Sequence, residues 1–490
     1  MPSNILSILT DVLIILNILF TVIIVFYERK SPGSTWAWLM VTLAIPYFGF
    51  ILYLLFGREG RKTVLFASKA RKDDTIVEEI RATELEGLLY RNKQAEIFEH
   101  KNVLGIFGAE KLNDLVHLNF TAGHAPLTNH NEIEMFFNGE EKFNSMFEDI
   151  EKAQSHVHLL YYIVRYDELS QKLVNALIKK AKQGVRVRFM MDGMGSRGAN
   201  TRKMLKLLKD AGGEVEIFLP PNFMRVNFRN HRKVCVIDGK IGYLGGLNIG
   251  DEYLGKVGRY GFWRDTHMRV VGDAVKELQI RFMLDWNFYA ANKMELKDDL
   301  FPKSETSHGA LMQIVSSGPD TIWSGVQYGY CKMISEAERK IYIQTPYFVP
   351  DDSVFELLRI SALAGIDVRV VIPGNPDHPF VYWASLSYLG DLLNAGVKCY
   401  EYKKGFLHSK LIVVDSLISS VGTANMDIRS FRLNFEINSF IYDEKTALQL
   451  ENRFIKDLED CQEIMLESYA KRTKLTKIKE SISRLLSPLL

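Results

Sequence analysis

The sequence predicts an α/β protein of two homologous domains. Each is a mostly parallel sheet flanked by helices, the pair is packed with pseudo-two-fold symmetry, and a transmembrane helical hairpin precedes them. Three observations lead there: two apolar runs at the N-terminus, strand and helix patterns alternating through the remainder, and one motif written twice. "HRKVCVIDGKIGYLGGLN", from His231, and "HSKLIVVDSLISSVGTAN", from His408, both fit H-x-K-x(4)-D-x(6)-G-x-x-N without a gap.

The first apolar run, Ile5 to Tyr27, is interrupted mainly by Asp11 and Asn17, and the second, Thr35 to Phe56, carries no charge. Each is long enough to cross a hydrocarbon core of ~30 Å as a helix. The short link "ERKSPGS" makes them a hairpin over residues 1–57, with Pro46 and Gly49 leaving a kinked or re-entrant second segment open. Arg58, Arg61, Lys62, Lys69, Arg71 and Lys72 follow the second run, whereas the link holds Arg29 and Lys30. That bias places the bulk of the chain in the cytoplasm, as part of a multi-pass cell-membrane protein. Residues 58–112 are charged and helical in pattern and read as a juxtamembrane connector.

Two units then follow one script, at 113–309 and 310–466. The first runs "FNSMFEDIEKAQ", the strand "HVHLLYYIV", the helix "LSQKLVNALIKKAKQG" and the buried strand "VRVRFMMDG". The second runs "MISEAERK", "IYIQTPYFV", "SVFELLRISALAG" and "IDVRVVIPG". Aligning Gly184 with Gly365 brings the V-R segments into register, and each unit adds another helix and strand before its motif. Alternating strands and helices imply helices layered on a parallel sheet. The tail, 467–490, includes "SYAKRTKLTKIKESISRLLSPLL", with six basic residues and one acidic among leucines and isoleucines, the composition of a helix lying on an anionic leaflet or of a solvated terminal helix.

The 490 residues carry 61 Lys and Arg against 59 Asp and Glu, which argues against a nucleic-acid partner. Cys235, Cys331, Cys399 and Cys461 are widely spaced, as core residues of a reducing compartment and not as a disulfide frame or zinc site.

After each motif lysine the chain is apolar and β-branched, so His and Lys at i and i+2 project from one side of a buried strand. One such half-site is incomplete for substitution at phosphorus, which needs a nucleophile and an acid for the leaving group. Two half-sites facing each other supply both. One imidazole attacks and becomes a phosphohistidine; the other protonates the departing alkoxide, then deprotonates the acceptor. Lys233, Lys410, Asn248 and Asn425 would converge on the non-bridging oxygens. The scheme needs no metal or other cofactor. His267, in "THMRVVGDA", has Arg where the lysine should stand and reads as structural.

These paired stretches resemble the HKD motifs of the phospholipase D superfamily, and the chain is most similar to its bacterial cardiolipin synthase branch. The resemblance rests on the motifs and on "STWAWLMVTLAIPYFGFILYLLFGRE", "FWRDTHMRVVG", "PDHPFVYWASLSYLGDLLNAGVKCYEYKKGFLHSK" and "GTANMDIRSFRLNFEIN". It implies two phospholipase D-like domains and transfer of a phosphatidyl group between two phosphatidylglycerol molecules, giving cardiolipin and glycerol. It carries catalytic roles to His231, Lys233, Asp238, His408, Lys410 and Asp415, with His231 the favoured nucleophile and each aspartate orienting an imidazole. The partners implied are phospholipid substrates and the membrane. Arg264 stands where relatives often have His, at a position the resemblance links to lipid contact. The motifs leave open whether a lipid hydroxyl or water resolves the phosphohistidine, and nothing in the sequence sets an oligomeric state.

Overall fold

The computed structural model describes residues 32–45, 49–53, 66–73, 75–77, 109–218 and 227–487, with scattered positions between 12 and 26. Most of the first apolar run and most of the connector lie outside the described residues.

The repeated script becomes repeated structure through local signals. In the first unit Asp167 caps the helix Glu168–Lys182 by accepting from Ser170 N, and Gly184, at φ +91°, ends it before the strand Arg186–Asp192. In the second, Asp351 caps Asp352–Leu363 through Val354 N, and Gly365, at φ +94°, leads into Asp367–Pro373. A left-handed residue after the last turn suits glycine, which has no Cβ to clash.

Both units join in one sheet of 16 strands. From the centre outward the first half runs Thr128–Phe136, His267–Val271, Ile241–Gly245, Val234–Ile237, His156–Tyr161, Arg186–Asp192 and Glu214–Phe218. The second half repeats that order with Ala310–Ser317, Asn434–Tyr442, Ile418–Gly422, Leu411–Val414, Lys340–Gln344, Asp367–Pro373 and Lys398–Tyr402, and Cys461–Glu463 adds an edge. The central strands of the halves pair antiparallel. The sheet is mixed. Helical crossovers make the outer three strands of each half parallel, whereas the motif strands turn back as hairpins and pair antiparallel toward the centre.

Helices cover both faces. On one face a single core spans the halves, joining Phe282 and Trp286 of the helix Ala274–Tyr289 and Ala447 and Leu450 of Glu444–Leu458 to Val234 and Leu411. These last two directly follow the motif lysines, and burying side chains of this size contributes about 2 kcal/mol apiece. On the other face each half has its own core. The helix Ala109–Gly123, which crosses the boundary drawn at residue 113, packs through Leu115 and Val116 into the core of the second unit.

The second apolar run does not continue straight. The helix Pro32–Ala44 stops, and Gly49–Leu52 folds back upon it. The Trp38 and Tyr53 rings stand 5.4 Å apart, whereas fifteen residues of continuous helix would span about 22 Å. A Cβ at Gly49 would lie 2.6 Å from Val41 O, so the close return needs glycine. Among the described residues no helix is long and apolar enough to cross a membrane.

Part of the connector is structured against the body. Phe66 meets Phe228 and Phe435 edge-on, each at 5.2 Å, and Lys69 is fully buried. Its ammonium lies 2.5 Å from Asp73, 2.8 Å from Asp320 and 3.4 Å from Asp285. Burial alone would depress the Lys69 pKa, but the three carboxylates raise it. Lys69 therefore belongs to the body's interior, not to the basic collar that the sequence suggested.

Candidate active site

Each H-x-K lies just ahead of a short buried strand, Val234–Ile237 or Leu411–Val414, that turns back in a hairpin. The motif aspartates occupy those turns, at the strand ends remote from the histidines, with φ of +54° at Asp238 and +55° at Asp415. Asp238 accepts from the backbone N–H groups of Gln154, Ser155 and His156 at 2.8, 2.7 and 2.9 Å. Asp415 does the same for Glu338, Arg339 and Lys340 at 2.8, 2.8 and 2.9 Å. The expectation that they orient imidazoles is corrected: four strand residues, roughly 13 Å of extended chain, separate each from its histidine. They pin each motif hairpin to the start of the neighbouring strand.

The imidazoles are held instead by carboxylates from the opposite half. His231 Nδ1 lies 3.0 and 3.1 Å from the oxygens of Glu436, and His408 Nδ1 lies 2.7 Å from Asp265 Oδ2. Backbone bonds are exchanged the same way, His231 N donating to Phe435 O at 2.9 Å and His408 N to Arg264 O at 2.7 Å. Two short strand pairs bring these together, Arg229–Asn230 with Asn434–Phe435 and Phe262–Arg264 with Gly405–Leu407. A carboxylate at Nδ1 keeps the hydrogen there and leaves the Nε2 lone pair for chemistry. The two half-sites thus complete one another.

Lys233 Nζ donates to His231 O at 2.6 Å and Lys410 Nζ to His408 O at 2.5 Å. Both ammonium groups are buried, each feels Glu436 and Asp265, and Lys233 also feels Lys410. Burial pushes the Lys410 pKa down to about 8 and that of Lys233 well below its ordinary value. The histidines are only 8% and 7% exposed. Burial carries both down to about 4, against the opposing pull of Glu436 on His231 and Asp265 on His408. Two imidazoles, two lysines and two carboxylates thus converge, a set suited to take up one phosphodiester charge together with one proton. Aromatic rings line it, Tyr162 at 5.0 Å from the His231 ring and Trp263 at 5.3 Å from that of His408.

The motif asparagines are bonded within their own loops. Asn248 accepts from Ile163 N at 3.1 Å and donates to Tyr253 Oη at 3.0 Å, while the Asn425 amide donates to Asp427 at 3.1 Å. These bonds fix the loops that carry the two amides. His267 is fully buried in its strand, in keeping with its structural reading.

Comparison with known proteins follows the same lines. The family described as "Cardiolipin synthase, PLD-like domain" matches residues 146–259 and 330–458, and "Phospholipase_D-nuclease N-terminal" matches 15–58. The cardiolipin synthase of Staphylococcus aureus (strain N315) is 47% identical over 97% of this chain and 95% of its own length. The major cardiolipin synthase of Bacillus subtilis (strain 168) is also 47% identical, over 99% of each chain. The chain belongs to the cardiolipin synthase family of the phospholipase D superfamily. The crystal structure of phosphatidylserine synthase from Haemophilus influenzae Rd KW20 superposes with a TM-score of 0.59 at 14% identity, over 77% of this chain and all of that one, which shows a common fold.

Within this cardiolipin synthase fold, three residues escaped the sequence reading. Glu436 and Asp265 sit in "LNFEIN" and "FWRDTHM", where a lone acid beside strand-forming apolar residues was the available signal. Arg232, the middle residue of the first H-x-K, is fully buried; it donates to Asp285 at 2.5 Å and to Glu436 O at 3.1 Å. Asp285 also faces Lys69, so the connector is wired to the motif through one carboxylate. Arg264 is fully buried, with Nε 2.8 Å from Asp457, and the carbonyl it presents holds His408.

Proposed function

We propose that this protein is a phosphatidyltransferase of the phospholipase D type that makes cardiolipin, joining two phosphatidylglycerol molecules with release of glycerol. His231 Nε2 forms a bond to the donor phosphorus as the bond to the glycerol headgroup oxygen breaks. His408, protonated once the anionic diester has entered, passes its proton to that oxygen. The terminal hydroxyl of the second phosphatidylglycerol then gives its proton to His408, attacks phosphorus and releases His231. Lys233 and Lys410 balance the charge on the non-bridging oxygens throughout. Glu436 stabilises the positive ring that His231 becomes on phosphorylation, and Asp265 the His408 imidazolium.

The observation that carries this reading is the exchange of carboxylates, by which each histidine is oriented only when the halves are joined. Family membership supports lipid substrates. The exposed apolar side chains of Val12, Ile15, Ile18, Trp36, Met40 and Leu43 support a tether in the membrane, with the second apolar segment re-entrant and the catalytic body on the cytoplasmic side. Purified protein given phosphatidylglycerol alone should produce cardiolipin and an equal amount of free glycerol. Phosphatidic acid as the sole lipid product would make it a hydrolase.

A further inference from the structure

The C-terminal helix Lys474–Leu485 docks with its amphipathicity inverted. It lies along the helix Pro379–Asn394, burying Glu480 and Ser483. Arg472 pairs with Glu480 at 3.1 Å, Arg484 reaches Asp391 at 2.7 Å, and the Lys479 ammonium stands 4.6 Å from the centre of the Trp383 ring. The apolar side faces outward instead. Leu475, Ile478, Ile482 and Leu485 are 62, 54, 51 and 81% exposed. At 100° per residue these four fall within about 80° of arc, with Glu480 nearly opposite. Lys474 and Lys479 flank the stripe on its two sides, Lys474 and Lys477 are exposed, and the helix's single acid is turned away against the body.

We propose that this helix is an interfacial membrane-docking element, its apolar stripe immersed among the acyl chains of an anionic leaflet and its lysines at headgroup level. Charge selects the occupant: a ridge of aliphatic side chains bordered by ammonium groups, with its carboxylate withdrawn, complements an anionic lipid surface. Position agrees. The helix partner Pro379–Asn394 begins beside His378, whose ring is 6.1 Å from that of Tyr347, a residue electrostatically coupled to Tyr162 at the His231 wall. Trp383, under Lys479, lies 6.0 Å from the half-exposed Phe380 at the same end. Immersion of the stripe therefore holds the catalytic cleft near headgroup depth. This goes beyond the transfer reaction and takes from it only that the substrates are lipids.

The test uses the full chain with Cys331 and Cys461 replaced by Ser and one new cysteine, at Ile482 or at Lys477, carrying an environment-sensitive fluorophore. The protein is reconstituted in phosphatidylcholine vesicles with or without phosphatidylglycerol. With the anionic lipid, the label at 482 should be blue-shifted and quenched by lipid-borne nitroxide about threefold more than the label at 477. Without it, the contrast should weaken. Equal quenching at the two positions, with both open to aqueous iodide, would mean a solvated helix and overturn the proposal. So would a label at 482 shielded from both quenchers and self-quenching as protein density rises, which would seat a second copy on the stripe. A contrast indifferent to lipid charge would remove the electrostatic half of the argument and sink it as stated. No readout depends on turnover, so this result and that of the phosphatidylglycerol assay stand or fall separately.

Discussion

Replacing Glu436 by Gln isolates the electrostatic part of the carboxylate exchange. The glutamine oxygen can keep the contact to His231 Nδ1, now 3.0 Å, and its amide can face Thr423 Oγ1, now 2.6 Å away, whose proton can turn to Ile437 O at 3.2 Å. Geometry is preserved while one negative charge is lost. Phosphorylation at Nε2 places a full positive charge on the ring. Across 3.0 Å, at an effective dielectric of about 20, a carboxylate favours it by about 5 kcal/mol. The neutral hydrogen bond that remains restores about 1 kcal/mol, leaving a loss of about 4 kcal/mol, or roughly 10³ in kcat. Lys233, which also faces Glu436, holds its proton less firmly in the variant, so KM should rise as well. Initial rates of cardiolipin formation from phosphatidylglycerol in mixed micelles, with thermal unfolding as the check on folding, measure both. A folded E436Q enzyme retaining a third or more of wild-type kcat would refute the assignment of Glu436 as the partner of His231.

The motif aspartates should behave oppositely. Asp238→Ala removes three backbone hydrogen bonds to a carboxylate, so calorimetry should show a loss of about 3 kcal/mol in stability while the folded fraction keeps kcat within roughly tenfold. For pH, Lys410 is charged below about 8 and neutral above, so kcat/KM should fall as pH rises through that value, and Lys410→Arg should move the alkaline limb upward. On the acid side, activity should persist until the imidazoles protonate near 4. Lys69→Met removes one buried cation from the cluster of Asp73, Asp285 and Asp320, with Arg232 and Arg281 left to offset them, and should lower stability by about 3 kcal/mol, read as a depressed Tm. Finally, His408→Ala should still be labelled at His231 by a diester with an activated leaving group, which needs no acid; mass spectrometry of the peptide containing Asn230 and His231 detects it.

Local signals carried the halves of the fold well. Capping aspartates, helix-ending glycines and apolar strands recur at matched spacing, so the repeat and its strand order follow from periodicity and chain direction. Pairing direction beyond the crossovers was not legible, because an apolar strand buried on both faces reads alike in parallel and antiparallel ladders. The histidines and lysines were found by repetition. Glu436 and Asp265 were not, because their partners lie 205 and 143 residues away, set by a packing between halves that no local pattern records. The aspartates misled for the converse reason: the spacing is invariant because a left-handed turn must cap three N–H groups, a backbone demand that looks like chemistry in a linear motif. The second run is not one straight helix, because Gly49, an interruption visible in the run itself, lets Gly49–Leu52 fold back on Pro32–Ala44.

Glu436 follows His231 by 205 residues in the chain. A ribosome releasing this chain beside a bilayer exposes His231 and Lys233 long before the carboxylate that completes them has been synthesised. A nascent or truncated polypeptide therefore holds a nucleophile that is neither aimed nor charge-compensated, and it cannot attack the lipids around it. Because each half depends on the other, neither half of the chain holds an oriented nucleophile by itself.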